Sequence, residues 1–263
     1  MDVKKTLRKY SVEPKEYEDQ FFIADEKLQK KIVNFADLEE DDKVLEIGAG
    51  IGNLTEHIVK ECKVTAIERD GELAAVLRHQ ELPNLTVLQR DVMATRLENL
   101  DFNKIITNFP YSISTPLTIK LLDLDWELAV LVYQKEFAER VAGEVGTMNN
   151  SRLSLKVRHH TEPEILKEIP SEKIYPEPAT DSAVVRLERK DAKAKSDRFW
   201  KIVNAAFHHK RKLVKNSLKD SAQFLGLEEE EIKEVEEELP DKRVYQCGVG
   251  DFEKIEEIIE EIL

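Results

Sequence analysis

The sequence predicts an α/β fold with a mostly parallel sheet, followed by a small all-helical domain. Three observations carry that expectation. From Asp42 to about Val132, short β-branched runs alternate with longer amphipathic ones, as βαβ units do. Each of these runs ends at a polar or glycine-rich turn, the place where open parallel sheets bind ligands. After "RKDAKAKSD" at 189–197, which has the composition of a linker, the periodicity is helical to the end. A chain of 263 residues accommodates one large and one small domain, and the expected division is 1–188 and 189–263.

In chain order, the candidate strands are "KVLEIGA" (43–49), "KVTAIER" (63–69), "LTVLQRD" (85–91), "KIITNF" (104–109) and "LAVLVYQ" (128–134). Helices fill the gaps, as in "NLTEHIVKEC", where Leu54, Ile58 and Val59 share one stripe. Beyond the fifth strand, "RLSLKVRHH" (152–160), "PEILKEIP" (163–170) and "SAVVRLERK" (182–190) read as shorter strands around a proline-rich stretch. There is no internal repeat.

Composition bounds the function. With 41% hydrophobic and 35% charged residues, the chain reads as globular with a heavily ionic surface. No apolar run approaches the roughly 18 residues of a membrane span, and the basic N-terminus lacks the apolar core of a secretory signal. Cys62 and Cys247 form no CxxC or metal spacing and fit buried or free thiols of a reducing compartment. A cytoplasmic monomer without metal or membrane contact is expected. The net charge of −13 is unevenly spread: from Glu228 onward there are 15 acidic against four basic residues. By contrast, 201–219 holds six Lys/Arg and no acid, with His208 and His209 besides. The acidic end is most simply a solvated helical surface, and the basic stretch is the candidate contact for nucleic acid.

The first strand turns at "EIGAGIGNLT", where Gly48, Gly50 and Gly52 permit positive φ and close approach to a ligand. The spacing is G-x-G-x-G, neither the dinucleotide fingerprint nor a P-loop. Glu68 ends the second strand about 20 residues past the first glycine, where an acid accepts from both hydroxyls of a ribose. Asp91 ends the third, placed to accept from an adenine amine. Either acid alone is more often a solvated or helix-capping residue. Together, glycine turn, ribose acid and adenine acid describe S-adenosylmethionine better than NAD.

The fourth strand delivers "NFPY", Asn108 to Tyr111, to the neighbouring turn. An adenine N6 amine is a poor nucleophile because its lone pair is delocalised into the ring. The side-chain oxygen of Asn108 and the carbonyl of Pro110 are two acceptors able to draw that amine out of plane, with the Tyr111 ring stacked on the base. Proline contributes an acceptor without a competing donor. In isolation such a turn also suits a buried tyrosine.

These motifs, in this order, resemble the ribosomal-RNA adenine N6-dimethyltransferase family that modifies paired adenosines near the 3′ end of small-subunit RNA. "DQFFIADEKL" is similar to the family's N-terminal glutamine motif, "EIGAGIGNLT" to its cofactor loop and "NFPYSISTPL" to its catalytic turn. "YQKEFAERV", "RLSL" and "YPEPATDSAVVRL" follow in family order, and "FHHKRKLVKNSL" resembles the basic helix of its small domain. The resemblance implies a Rossmann-like, S-adenosylmethionine-dependent methyltransferase fold. It implies that Phe21 and Ile23 lie against the cofactor, that Gly48, Glu68, Asp91 and Asn108 bind it, and that Asn108, Phe109, Pro110 and Tyr111 hold the target base. Gly50 joins the cofactor set from the glycine turn. Lys210, Arg211, Lys212 and Lys215 would grip RNA phosphates. Small-subunit rRNA or its precursor particle is the implied partner. Departures from the family pattern fall at Phe21, often polar; at Asn150 and Ser151, usually Tyr-Gly; and at Ile174, usually a phenylalanine that sandwiches the base, with Tyr175 adjacent as a stand-in. These departures keep open a non-catalytic ribosome-assembly or nucleic-acid-binding factor on the same fold, and the likeness of the corner to the N/D-P-P-Y turns used on DNA keeps open an adenine methyltransferase acting on DNA.

Overall fold

The computed structural model describes residues 1–262. Contacts divide the chain into two compact units, one of residues 1–138 and 161–189, the other of residues 139–160 and 190–262 among those described. The expected single boundary after residue 188 therefore misses a second excursion, since 139–160 cluster with the C-terminal helices.

Nine strands occur in the first unit: β1 (Phe22–Ile23), β2 (Lys43–Ile47), β3 (Lys63–Glu68), β4 (Leu85–Gln89), β5 (Lys104–Asn108), β6 (Leu128–Gln134), β7 (Thr161–Ile169), β8 (Ile174–Tyr175) and β9 (Ser182–Arg189). Seven of them form one sheet in the order β4-β3-β2-β5-β6-β9-β7. β2 to β6 are mutually parallel, and β9 runs antiparallel to both β6 and β7. Burial explains the order: β6 is buried along nearly its whole length and lies inside the sheet, whereas β4 has no fully buried residue, exposes Thr86 and Gln89, and forms an edge. The strand order reverses between β2 and β5. That is the switch point at which an open α/β sheet leaves a crevice beyond its carboxyl ends. β1 and β8 form a separate antiparallel ribbon, pairing Phe22 with Tyr175 and Ile23 with Ile174.

The core of this unit gathers Ile32, Val44, Ile58, Ala66, Ile106, Val130 and Val184, with Ile23 and Ile174 of the ribbon among them. Burying such aliphatic side chains stabilises the fold by about 1.5–3 kcal/mol each.

In the second unit, "RLSLKVRHH" is a helix, Arg152–His160, and not the strand that its alternation of Leu153, Leu155 and Val157 suggests. The deciding signal is a reciprocal cap. The backbone N–H of Ser154 donates to Ser151 Oγ (3.2 Å), and that of Ser151 donates to Ser154 Oγ (2.8 Å). Asn150 is fully buried and donates through Nδ2 to the carbonyls of Tyr245 (2.8 Å) and Cys247 (3.0 Å). Both departures at 150 and 151 are thus structural parts of the helical unit.

The helix Asp197–Phe207 is capped by Ser196, which accepts from Phe199 N–H. It packs Phe199, Ile202 and Val203 against Leu218, Val235 and Val244, and against Phe252, Ile255 and Ile259 of the last helix, Val249–Ile262. Glu257, Glu260 and Glu261 of that last helix face solvent, whereas Asp251, Glu253 and Glu256 are half-buried and bonded to Lys242, Lys195 and Ser196. Cys62 and Cys247 are buried free thiols, pushed by that burial up to about 11 and about 12. No helix among the described residues is long and apolar enough to cross a membrane.

Candidate active site

A cavity of about 250 Å³ opens at the switch point of the sheet. It is lined by the carboxyl ends of β2, β3 and β5, by the turn after β4, and by residues 17–22.

Gly48 and Gly50, at φ +68° and +59°, carry the chain out of β2 in a conformation that L side chains rarely adopt. Space forbids a side chain as well: a Cβ on Gly50 would lie 2.7 Å from the Phe22 ring. On the other side, a Cβ on Gly48 would sit 3.6 Å from Pro110, so the glycine turn and the "NFPY" corner are direct neighbours. Thr107 ties them together by donating to the Ile47 carbonyl.

Glu68 is buried, and both its oxygens brace the backbone. Oε2 accepts from Gly50 N–H and Oε1 from Asp70 N–H, each at 2.8 Å. Burial raises its carboxyl above the ordinary range. Beneath it lies Glu46, a fully buried acid in the middle of an apolar strand. Burial, with Glu68 nearby adding to it, pushes Glu46 up to about 8, and its Oε2 has no hydrogen-bond partner. Sequence reasoning passed over Glu46, although an acid inside "KVLEI" is itself a signal. Asp91 faces the cavity from the turn after β4 and uses Oδ1 to accept from Met93 N–H (2.7 Å). Lys120 holds this turn by donating to the carbonyls of Val92, Met93 and Thr95.

At the end of β5 the four residues of the corner separate. Asn108 donates through Nδ2 to the Phe21 carbonyl at 2.6 Å, which leaves its buried Oδ1 without a partner. Phe109 turns the other way: it is buried against Tyr133 at 4.5 Å between ring centroids and does not line the cavity. Its expected place at the base is corrected to the core, because alternate residues of an extended strand end face opposite sides. Pro110 lines the cavity, but its carbonyl already accepts from Ile113 N–H (3.3 Å) and Ser114 Oγ (3.4 Å), leaving Asn108 Oδ1 as the free acceptor of the corner. Tyr111 does not line the cavity itself but stacks on Phe21, which does, at 5.4 Å between centroids and 24° between planes. Its hydroxyl shares a 2.9 Å hydrogen bond with Ser182, and burial raises the phenol.

Residues 15–21 form a strap over this crevice. Lys15 Nζ and Gln20 Nε2 donate to Asp70 Oδ2 at 2.7 and 3.0 Å on the β3 side. Asp19 accepts from Ser112 N–H at 2.9 Å on the β5 side. Phe21 and Phe22 line the cavity, whereas Ile23, expected against the cofactor, is buried in the sheet core. The one-residue offset follows from β1 pairing, which turns Phe22 and Ile23 to opposite faces.

In the second unit, the basic residues 208–212 occupy the turn between the helices Asp197–Phe207 and Val214–Asp220, so the expected basic helix is a basic turn. Lys210 Nζ donates to the Met148 carbonyl, Lys212 pairs with Asp220, and Lys215 lies 3.7 Å from Glu236. Arg211 is exposed, and its carbonyl accepts from the guanidinium of Arg243, a cation hidden in the acidic end that the sequence did not single out.

Residues 14–261 match the family described as ribosomal RNA adenine dimethylase. The chain belongs to that family. It is accordingly a methyltransferase whose acceptor is adenine of ribosomal RNA. Curated relatives agree. The chain is 39% identical over 254 residues to the probable ribosomal RNA small subunit methyltransferase A of Thermococcus gammatolerans, covering 95% of this chain and 91% of that one. It is 38% identical to the protein of the same description from Methanothermobacter thermautotrophicus, covering 99% and 96%. Among solved structures it resembles a dimethyladenosine transferase from Plasmodium falciparum, with a TM-score of 0.79, 27% identity, and coverage of 89% of this chain and 95% of that one. Family and fold thereby confirm the expected Rossmann-like methyltransferase sheet with an all-helical C-terminal region.

Proposed function

We propose that this protein transfers methyl groups from S-adenosylmethionine to N6 of adenosines near the 3′ end of small-subunit ribosomal RNA, two per base. The observation that carries the acceptor half is the buried, unpartnered Oδ1 of Asn108, held in place by the bond from its own Nδ2 to Phe21. An acceptor there takes one hydrogen of an exocyclic amine and turns its lone pair toward the crevice. The Pro110 carbonyl, which accepts from Ile113 N–H and Ser114 Oγ, meets the other hydrogen once Ser114 Oγ gives it up for its second acceptor, the Tyr111 carbonyl at 3.0 Å. No strong base is required, since the N-methylated ammonium formed by the transfer is acidic enough to release its proton to water.

The cavity fits the cofactor on three counts. The glycine turn leaves β2 at positive φ with no side chains, so its backbone is open to close approach of a ligand. Glu68 retains lone pairs for ribose hydroxyls, and Asp91 Oδ2 is open to an adenine amine. Glu46, a buried acid with an unpartnered oxygen, suits the positive charge of a methionine ammonium. When bound, S-adenosylmethionine supplies an electrophilic methyl group on sulfonium. Every other part, namely orientation, desolvation and lone-pair alignment, is the work of this chain.

A precursor of the small ribosomal subunit in the cytoplasm is the proposed partner, with Arg211 and Arg243 as phosphate contacts. The departures at Asn150 and Ser151 lie outside the site and give no support to a non-catalytic role. The test is to incubate the protein with labelled S-adenosylmethionine and undermethylated small subunits, then digest the RNA and analyse nucleosides by mass spectrometry. Labelled N6,N6-dimethyladenosine is expected. Adenosine left unlabelled would overturn the reading.

A further inference from the structure

Methylation of a base requires that it be held flat, and a single aromatic wall leaves it free to tilt. The two positions from which a second wall is expected are both spent elsewhere. Ile174 is buried beside Ile23 in the sheet core. Tyr175 pairs with Phe22 in a cluster with Val3, Leu7 and Leu73, and Lys4 Nζ lies 4.9 Å over its ring. The ring that does face Tyr111 is Phe21, at 5.4 Å and 24°.

We propose that Phe21 is the second wall of the target-base clamp, so that the purine whose amine meets Asn108 Oδ1 enters between Phe21 and Tyr111. The proposal rests on the acceptor reading of the corner given above. Its geometry has two parts. Tyr111 is the fixed wall, because its hydroxyl is tied to Ser182. Phe21 is the wall carried on the strap, and its carbonyl receives the bond that aims Asn108, so one residue sets both the plane of the base and the acceptor for its amine. A base sandwiched between two rings needs walls about 7 Å apart, two contact distances of roughly 3.5 Å. The two rings now stack directly on each other, 5.4 Å between centroids and 24° between planes, so the strap has to carry Phe21 away by about one further contact distance, roughly 3.5 Å. The two rings pressed together are then the closed state of the clamp.

The test compares Phe21→Leu, which keeps apolar bulk without a flat face, with Phe21→Tyr, which keeps the face. Both full-length variants are assayed for kcat/KM on undermethylated small subunits, and S-adenosylmethionine affinity is measured by calorimetry. Loss of one base-stacking ring lowers kcat/KM on the order of tenfold to a hundredfold. We expect that loss in Phe21→Leu, cofactor affinity within about threefold of the parent, and recovery in Phe21→Tyr. Wild-type kcat/KM in Phe21→Leu, or a faster rate, would overturn the clamp and mark Phe21 as packing or as a plug. So would a fall in cofactor affinity that matches the fall in kcat/KM. A parent protein that leaves adenosine unmethylated would instead sink the acceptor reading, and the clamp with it.

Discussion

At the scale of single residues, the site is defined by two buried oxygens that the fold leaves unpartnered, Asn108 Oδ1 and Glu46 Oε2. An unsatisfied buried acceptor costs the folded protein about 1–3 kcal/mol, so such atoms persist where a ligand completes them. Replacing Asn108 by Ala removes the acceptor and the bond to Phe21 together. We expect kcat to fall on the order of 10²–10³-fold, the usual cost of losing one preorganised polar group at a reacting centre. Cofactor affinity, measured by calorimetry, should fall by much less, because Glu46, Glu68 and the glycine turn remain. Comparable losses in both would place Asn108 in cofactor binding alone.

Glu46 makes a prediction in pH. Its carboxyl titrates near 4.5 when unfolded and at about 8 in the folded, ligand-free protein. Between those values the unfolded chain has released a proton that the folded one keeps, so stability contributed at this site declines as pH rises from about 4.5 to 8. Glu46→Gln should abolish the decline, and its melting temperature should gain on the parent's between pH 5 and pH 8. A cationic ligand reverses the preference and ionises Glu46. Cofactor binding at pH 7 should therefore release close to one proton in the parent and far less in Glu46→Gln, read from the buffer dependence of the calorimetric enthalpy.

At the scale of elements, the glycine turn, β1 and the strap form one joint across the crevice. Gly50→Ala tests it: positive φ costs an L residue about 1–2 kcal/mol, and the new Cβ meets Phe22 at 2.7 Å. A drop of several degrees in melting temperature should accompany a larger proportional loss of cofactor affinity, since Phe22 lines the same cavity. Equal losses in stability and none in binding would detach the turn from the site.

The sheet was legible because a parallel strand buried on both faces reads as a nearly continuous apolar run, and the inner strands β2, β3, β5 and β6 each carry one that stops at a polar turn. "RLSLKVRHH" was misread for a physical reason. Three apolar residues at alternate positions fit a strand, and the opposing signal was a pair of serines capping each other at Ser151 and Ser154. Glu68 and Asn108 were legible as polar residues at strand ends. Glu46, Phe22 and the Phe21 to Tyr111 stack were not, because each depends on which side of a strand faces the crevice and on pairings between residues 87 to 153 positions apart in sequence.

At the scale of the whole molecule, a protein of net charge −13 must bind a polyanion. Most of the net negative charge belongs to the last 36 residues, where Glu257, Glu260 and Glu261 of the terminal helix face solvent and are screened beyond a Debye length of about 8 Å at physiological ionic strength. Binding is then governed by where cations are concentrated, not by their total. In the helical unit, the turn 208–213 is held by backbone bonds from Val244 N–H to the Lys212 carbonyl and from Tyr245 N–H to the Lys210 carbonyl. That pairing brings Arg243 beside Arg211, while Lys212 is neutralised by Asp220. Each phosphate contact contributes roughly 0.7 to 0.9 to the slope of log affinity against log salt. Changing Arg211 and Arg243 together to Ala should flatten that slope by about 1.5 and weaken RNA binding at low salt. Lys212→Ala should move it much less, because freeing Asp220 replaces a neutral pair with a negative charge but removes no phosphate partner. Filter-binding titrations of small-subunit RNA across a salt series measure both. A slope unchanged in the double arginine variant would mean that phosphates are met by another surface, and that the basic turn serves the helical unit alone.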